Sequence, residues 1–183
     1  AKVKGTFPKG TDIGTPVFSE AEKFIDSHIN FMDFEEGYTL ESVLAKGTEL
    51  VKRKGIKVLV IDPYNKVPLK GRRRDEDSYT VYYLLKLDQW ARKHDVIPIL
   101  VAHPTKRKEG QGGAKMPMPD MYSVRGTGDF YDMCPMGLVV YRDFENEVTI
   151  IKNLKVKFSF QGETGAESTL AWNPENGRFS EVE

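Results

Sequence analysis

The sequence predicts an α/β fold with a mostly parallel sheet flanked by helices and an antiparallel extension toward the C-terminus. Two continuous apolar runs, KVLVID at 57–62 and IPILVA at 97–102, are separated by a helical pattern over 78–94. Strand, helix and strand joined by short connections form the unit from which parallel sheets are built. Beyond residue 137, strand-like segments follow one another across turns, which favours antiparallel pairing.

The N-terminal elements are predicted from caps and glycines. Residues 1–17 are rich in glycine and proline and are predicted to form an irregular arm, followed by one domain over 18–183. Ser19, with a glutamate three residues later, predicts the start of a short helix, and residues 31–34 predict a short strand. A second helix is expected to begin after Thr39 and to end at Gly55.

The central and C-terminal elements are predicted from their apolar patterns. The runs at 57–62 and 97–102 are consecutive rather than alternating, which predicts strands covered on both faces. Segments at 137–143, 147–153 and 167–173 are typical of strands joined by turns. The Asn-Gly pair that follows the last segment indicates a hairpin turn.

Composition limits the function. The chain of 183 residues has 27 basic and 27 acidic residues, so any nucleic-acid surface must be local. Cys134 is the only cysteine, which excludes a disulfide within the chain. No apolar stretch is long enough to cross a bilayer and no signal peptide opens the sequence. We therefore expect a cytoplasmic protein, phage-encoded or bacterial, with no membrane partner.

Polar residues follow both predicted parallel strands. Ligands of open α/β sheets bind at the carboxyl ends of strands. Asp62 directly follows four apolar residues, an arrangement that holds Mg²⁺ beside a nucleotide phosphate, usually through water. The alternative is a turn cap before Pro63. His103 is either an ordinary loop histidine or a hydrogen-bonding partner of a terminal phosphate.

Basic residues are concentrated after these two strands. They are Lys66, Lys70, Arg72, Arg73 and Arg74 after the first strand, and Lys106, Arg107, Lys108 and Lys115 after the second. A charge run is usually solvated surface, but two runs on one edge of a neutral protein favour a path for a phosphate backbone. Further on, Arg125 stands beside Gly126 and Gly128, whose backbone N–H groups suit phosphate binding. An ordinary glycine turn is the alternative there.

The order of these segments resembles the RecA-like motor domain of hexameric replicative DNA helicases. VLVIDPYN, ILVAHPTK, a basic loop, MYSVRGTGDFYDMCPMGLVVYRD and NLKVKFSFQGETG follow one another between residues 39 and 180. The phage-type primase–helicases and Twinkle are most similar, and the DnaB-type helicases are more distant. The resemblance implies ATP or another NTP with Mg²⁺ as cofactors, single-stranded DNA as partner and a hexameric ring for the full-length protein.

The resemblance also implies roles for single residues. Asp62 matches the aspartate that positions Mg²⁺, and His103 matches the residue that senses the γ-phosphate. Lys155 and Lys157 match the basic pair that reaches the neighbouring subunit's nucleotide, where the second is commonly an arginine. Trp172 falls near an aromatic residue that stacks on the base, with core packing as the alternative. The implied DNA-binding set is Lys70, Arg72, Arg73, Arg74, Lys115, Arg125, Gly126 and Gly128.

One motif of the family is absent from the 183 residues. The P-loop, GxxxxGK[ST], cradles the phosphates, and the glycines at 5 and 10 have its spacing but are followed by Thr11 rather than lysine. We therefore expect an N-terminally truncated, C-terminal portion of a longer protein, with little ATP hydrolysis alone and self-association through exposed apolar surface. The alternatives are a complete, non-catalytic nucleic-acid-binding module and a RecA-type recombination ATPase.

Overall fold

The computed structural model describes residues 16–34, 37–72, 78–104, 118–124, 128–174 and 176–182. The helices within these ranges are α1 (Pro16–His28), α2 (Leu40–Lys54), α3 (Tyr79–His94) and α4 (Asp129–Met133). The strands are β1 (Val58–Ile61), β2 (Ile97–Leu100), β3 (Met136–Asp143), β4 (Val148–Val156), β5 (Glu167–Asn173) and β6 (Arg178–Glu181). Short 3-10 turns occupy Tyr64–Lys66, Met121–Ser123 and Ser159–Gln161.

The chain divides into two compact units. The described parts of 34–139 and 153–166 form one, which we call the βαβ unit. The described parts of 1–33, 140–152 and 167–183 form the other, which we call the hairpin unit. Strands β3 and β4 are each divided between the two.

Helix α2 has the ends that the sequence predicts. Thr39 and Ser42 form a reciprocal cap, in which the Ser42 N–H donates to Thr39 Oγ1 at 3.4 Å and the Thr39 N–H donates to Ser42 Oγ at 2.9 Å. At the other end Gly55 has φ 67° and its N–H donates to the Val51 carbonyl at 3.0 Å. Only glycine adopts this left-handed backbone conformation without steric cost.

Strands β1 and β2 form a parallel pair, with Val58 opposite Ile97 and Ile61 opposite Leu100. The prediction that both faces are covered is wrong for the described residues. Leu59 and Ile61 are buried, whereas the alternate residues are exposed on both strands. A continuous apolar run shows that both faces are apolar, but it does not show that another element covers each of them.

The remaining strands form a separate four-stranded sheet in the order β3-β4-β5-β6. Strands β4 and β5 pair antiparallel, as do β5 and β6, and the predicted turn between the last two has Gly177 at φ 66°. The α/β class is confirmed, but a mostly parallel sheet is not what the described strands form. Antiparallel strands pair across short turns, whereas each further parallel strand requires a crossover connection.

Two N-terminal predictions are corrected. Helix α1 begins at Pro16, before the predicted cap at Ser19. Residues 31–34 form no strand, and the Phe31 side chain is largely exposed. This short apolar segment does not pair with a described strand, and a strand is not stable without a partner. The part of the predicted arm that spans residues 1–15 lies outside the described residues.

Candidate functional site

The parallel register of β1 and β2 places Asp62 and His103 at the same edge of their sheet. Asp62 directly follows β1, and His103 follows β2 by three residues. The Val101 N–H donates to the Ile61 carbonyl at 3.0 Å, and the Tyr64 N–H donates to the Val101 carbonyl at 2.9 Å. Backbone hydrogen bonds therefore hold the two segments together beyond the strands. Both side chains are exposed and accessible to a ligand.

A buried aromatic cluster anchors the segment that follows Asp62. The Tyr64 ring packs edge-on against Tyr83 of α3 at 5.5 Å and against Phe130 of α4 at 5.2 Å between ring centroids. This cluster ties the carboxyl edge of β1 to α4, which follows the predicted glycine loop. Tyr64 was not predicted as part of the site, although a tyrosine directly after the Asp62-Pro63 pair could have indicated an anchor there.

The side chains at this edge could hold a magnesium ion only together with ligands from outside the protein, such as waters and phosphates. Mg²⁺ is commonly bound by one or two carboxylates together with waters and substrate phosphates. Asp62 supplies one exposed carboxylate, and the described residues contain no group of three or more His, Cys, Asp or Glu side chains that could hold a metal. A water-mediated Mg²⁺ beside a nucleotide is consistent with this arrangement, whereas a metal site formed by the described residues alone is not.

The basic segment after β1 is only partly described. The Lys70 N–H donates to Glu41 Oε2 at 2.9 Å, which fastens this segment to the first turn of α2. The Arg72 guanidinium carbon lies 3.9 Å from the centroid of the Tyr82 ring, a cation–π contact at the surface. The predicted DNA-binding residues Arg73, Arg74, Lys115, Arg125 and Gly126 lie outside the described residues.

Gly128 precedes α4 and has an ordinary backbone conformation, with φ −62°. This glycine is therefore not required for a left-handed turn. A Cβ at this position would lie 3.4 Å from Cε1 of Tyr122, an ordinary van der Waals contact. Neither the backbone conformation nor the space around it therefore requires glycine here.

Lys155 and Lys157 have different surroundings at the end of β4. The Lys155 ammonium donates to the Tyr131 carbonyl of α4 and lies 4.7 Å from the centroid of the Tyr131 ring. Lys157 follows the strand, with an exposed side chain whose ammonium is 5.6 Å from the Phe158 ring. Of the two side chains, that of Lys157 is the more exposed.

Two further residues are placed by the structure. Trp172 belongs to the hairpin unit, where it pairs with Phe179 across β5 and β6 and is 47% exposed. Trp172 is therefore not fully buried in a core, and stacking of its ring on a nucleotide base stays a prediction. Cys134 is partly buried; burial raises the pKa of its thiol, and the Lys155 charge opposes this only partly. Nucleophilic cysteines have a lowered pKa instead.

The comparisons with known proteins agree with the predicted resemblance. No family model matches the sequence. The chain is 28% identical over 149 residues to the Twinkle homolog protein, chloroplastic/mitochondrial, of Arabidopsis thaliana, a match that covers 78% of this chain and 20% of that protein. The fold of the present chain is similar to that of a DnaB-like replicative helicase, whose structure was solved together with a study of the interactions of that helicase with primase. That similarity has a TM-score of 0.71 at 20% identity and covers 96% of this chain and 44% of the other.

These findings confirm that the chain resembles a RecA-like helicase motor domain of the DnaB and Twinkle type. The chain spans a fifth of the length of the curated relative and under half of the solved chain. That relative is named as a chloroplastic/mitochondrial protein, and a cytoplasmic location stays a prediction for this chain. Within the part of the chain that the structure describes, every helix is too short or too polar to cross a membrane.

Proposed function

We propose that this chain is part of the motor domain of an ATP-dependent replicative DNA helicase. The observation that carries the proposal is the parallel β1–β2 register, which brings Asp62 and His103 to one carboxyl edge. The similarity to a DnaB-like replicative helicase supports the same assignment. The motor would couple NTP hydrolysis at subunit interfaces to movement along single-stranded DNA.

The exposed side chains have separable roles in this proposal. Asp62 would hold Mg²⁺ through water, and the bound nucleotide with its metal supplies the phosphoryl group that is hydrolysed. His103, which follows the neighbouring strand, would donate a hydrogen bond to the terminal phosphate. Lys157 would place a positive charge beside the nucleotide of the next subunit in a ring, as a point charge rather than the planar fork of an arginine.

Hydrolysis is proposed only together with a P-loop. The 183 residues contain no GxxxxGK[ST] segment, and without its backbone amides and lysine the phosphates are poorly held. We therefore expect little ATP turnover by this chain alone in the presence of Mg²⁺ and single-stranded DNA. Robust turnover that Asp62→Ala abolishes would contradict this expectation.

Binding to single-stranded DNA tests the proposed DNA interface. Arg125→Ala is expected to weaken binding to all sequences and to lower the slope of log affinity against log salt by about 1, as for one lost phosphate contact. Lys93→Ala is the matched control. It also removes one cation, but Lys93 lies in the last turn of α3. This helix leads into the amino end of β2, not the carboxyl edge. Unchanged binding of Arg125→Ala, or an equal effect of Lys93→Ala, would remove Arg125 from the interface.

A further inference from the structure

Two exposed tyrosines stack on each other, and in the sequence they stand on either side of the predicted glycine loop. The rings of Tyr122 and Tyr131 have centroids 5.1 Å apart and an interplanar angle of 21°. Tyr122 is 61% exposed and Tyr131 is 37% exposed. Tyr122 lies in the 3-10 turn that precedes residues 125–127 in the sequence, and Tyr131 lies in α4, which follows them. The predicted phosphate-binding residue Arg125 therefore lies between the two tyrosines in the sequence.

The exposed rings are not needed to fill the core, because their neighbours do so. Met121 is buried directly before Tyr122, and Phe130, 5% exposed, is buried directly before Tyr131. Phe130 makes the edge-on contact with Tyr64 that anchors α4. Each element thus points one apolar side chain inward and presents a tyrosine outward. Exposed aromatic surface arranged in this way is typical of a site that stacks on a ligand.

The cation beside the stack is already engaged with the protein. The Lys155 ammonium lies 4.7 Å from the centroid of the Tyr131 ring and donates to the Tyr131 carbonyl. The helix that carries Tyr131 also carries two acidic residues, Asp129 and Asp132. We therefore expect the ring faces, rather than a cation, to make the contribution of this stack to ligand binding.

We propose that the Tyr122–Tyr131 stack is a platform for an unpaired base of single-stranded DNA. The inference rests on the proposed function and assigns the base-contacting part of its DNA site. Tyr122, as the more exposed ring, receives the base, and Tyr131 supports it from behind while Lys155 fixes the position of Tyr131. Every base has a π-face, so such a platform tolerates all sequences.

The test compares two oligomers of equal length, oligo(dT) and one made entirely of abasic sites. We expect the wild-type chain to bind oligo(dT) more tightly. Tyr122→Ala is expected to weaken binding of oligo(dT) by about 5- to 150-fold, the effect of one lost stacking contact, and to leave the abasic oligomer unaffected. Tyr122→Phe keeps the ring and is expected to bind as wild type. Phe144→Ala, which removes a largely exposed ring from the hairpin unit, is the matched control.

A second measurement needs no variant. Oligo(dT) containing 5-iododeoxyuridine is irradiated in complex with the unaltered chain, and the cross-linked residue is mapped by mass spectrometry. Cross-linking at Tyr122 or Tyr131 supports the platform. Cross-links confined to other residues overturn it.

The outcomes separate this inference from the proposed function. If the wild-type chain binds neither oligomer, the proposed function fails and the platform with it. If the chain binds both oligomers and Tyr122→Ala binds each as wild type does, only the platform is overturned. An equal loss for both oligomers also overturns it, because the ring would then support the fold rather than contact a base.

Discussion

At the scale of single residues, the placement of Asp62 and His103 follows from backbone register rather than from side-chain contacts. Each follows a parallel strand, and the pairing of Ile61 with Leu100 brings the two strand ends side by side. The sequence could predict this because a polar residue that ends an apolar run is visible without coordinates. The tie between Lys155 and Tyr131 could not be predicted, since it joins residues 24 positions apart.

Glu41 gives a prediction about pH. Partial burial alone raises the pKa of its carboxyl, but the hydrogen bonds from the Lys86 ammonium and the Lys70 N–H outweigh it and hold the pKa below its ordinary value. A carboxyl with a lowered pKa stabilises the fold above its unfolded pKa, and this contribution is lost as the pH falls through the folded pKa. We expect Glu41→Gln to be less stable than wild type at neutral pH and the difference to shrink below about pH 4.3.

The measurement for Glu41 is urea unfolding of both proteins across this pH range. Asp88→Asn, which disrupts an exposed ion pair with Arg92 within α3, is a control for loss of a surface charge and is expected to have a small effect. A stability difference for Glu41→Gln that stays constant or grows as the pH falls would contradict the assignment.

At the scale of elements, α2 and α3 pack closely because Gly47 faces Trp90. A Cβ at position 47 would lie 2.8 Å from Cζ2 of the Trp90 ring, whose indole N–H donates to Thr48 Oγ1 at 2.9 Å. Alanine normally stabilises a helix relative to glycine by about 1 kcal/mol. Here the rigid indole must move, and we expect Gly47→Ala to lower the free energy of unfolding by about 1–3 kcal/mol.

Urea denaturation measures this effect, and a double-mutant cycle identifies its cause. In a Trp90→Phe background the smaller ring leaves space, so Gly47→Ala is expected to cost less than it does in wild type. An equal cost in both backgrounds, or a stabilised single variant, would show that the indole does not restrict position 47.

The elements differ in how well the sequence predicts them. Helix α2 and the turn at Gly177 were predictable because a cap residue and a glycine with positive φ act locally. The strand expected at 31–34 and the cap expected at Ser19 were wrong, because both depended on short patterns without tertiary support. The exposed face of β1 and β2 was also missed, since burial depends on distant elements that the local pattern does not specify.

At the scale of the whole molecule, the exposed face of the parallel pair predicts self-association. Its side chains are Val58, Val60, Ile97 and Ile99. A parallel sheet is normally covered on both faces, and we expect a second copy of the chain to cover this one at high concentration. Val60→Lys is expected to shift sedimentation toward the monomer, whereas Phe144→Ala changes another exposed apolar residue and should not. A wild-type chain that stays monomeric at all concentrations would contradict the prediction.

The carboxyl edge itself is tested most directly by a paramagnetic ion. The chain has three histidines, His28, His94 and His103, so histidine-labelled protein reports on three positions at once by NMR. Mn²⁺ replaces Mg²⁺ at oxygen ligands. Paramagnetic broadening also detects a weakly bound ion, so even without a P-loop we expect Mn²⁺ with excess nucleotide to broaden the His103 signals first, and Asp62→Asn to abolish this effect. Preferential broadening of His28 or His94, or broadening of His103 that survives Asp62→Asn, would show that Asp62 and His103 do not share a metal–nucleotide site.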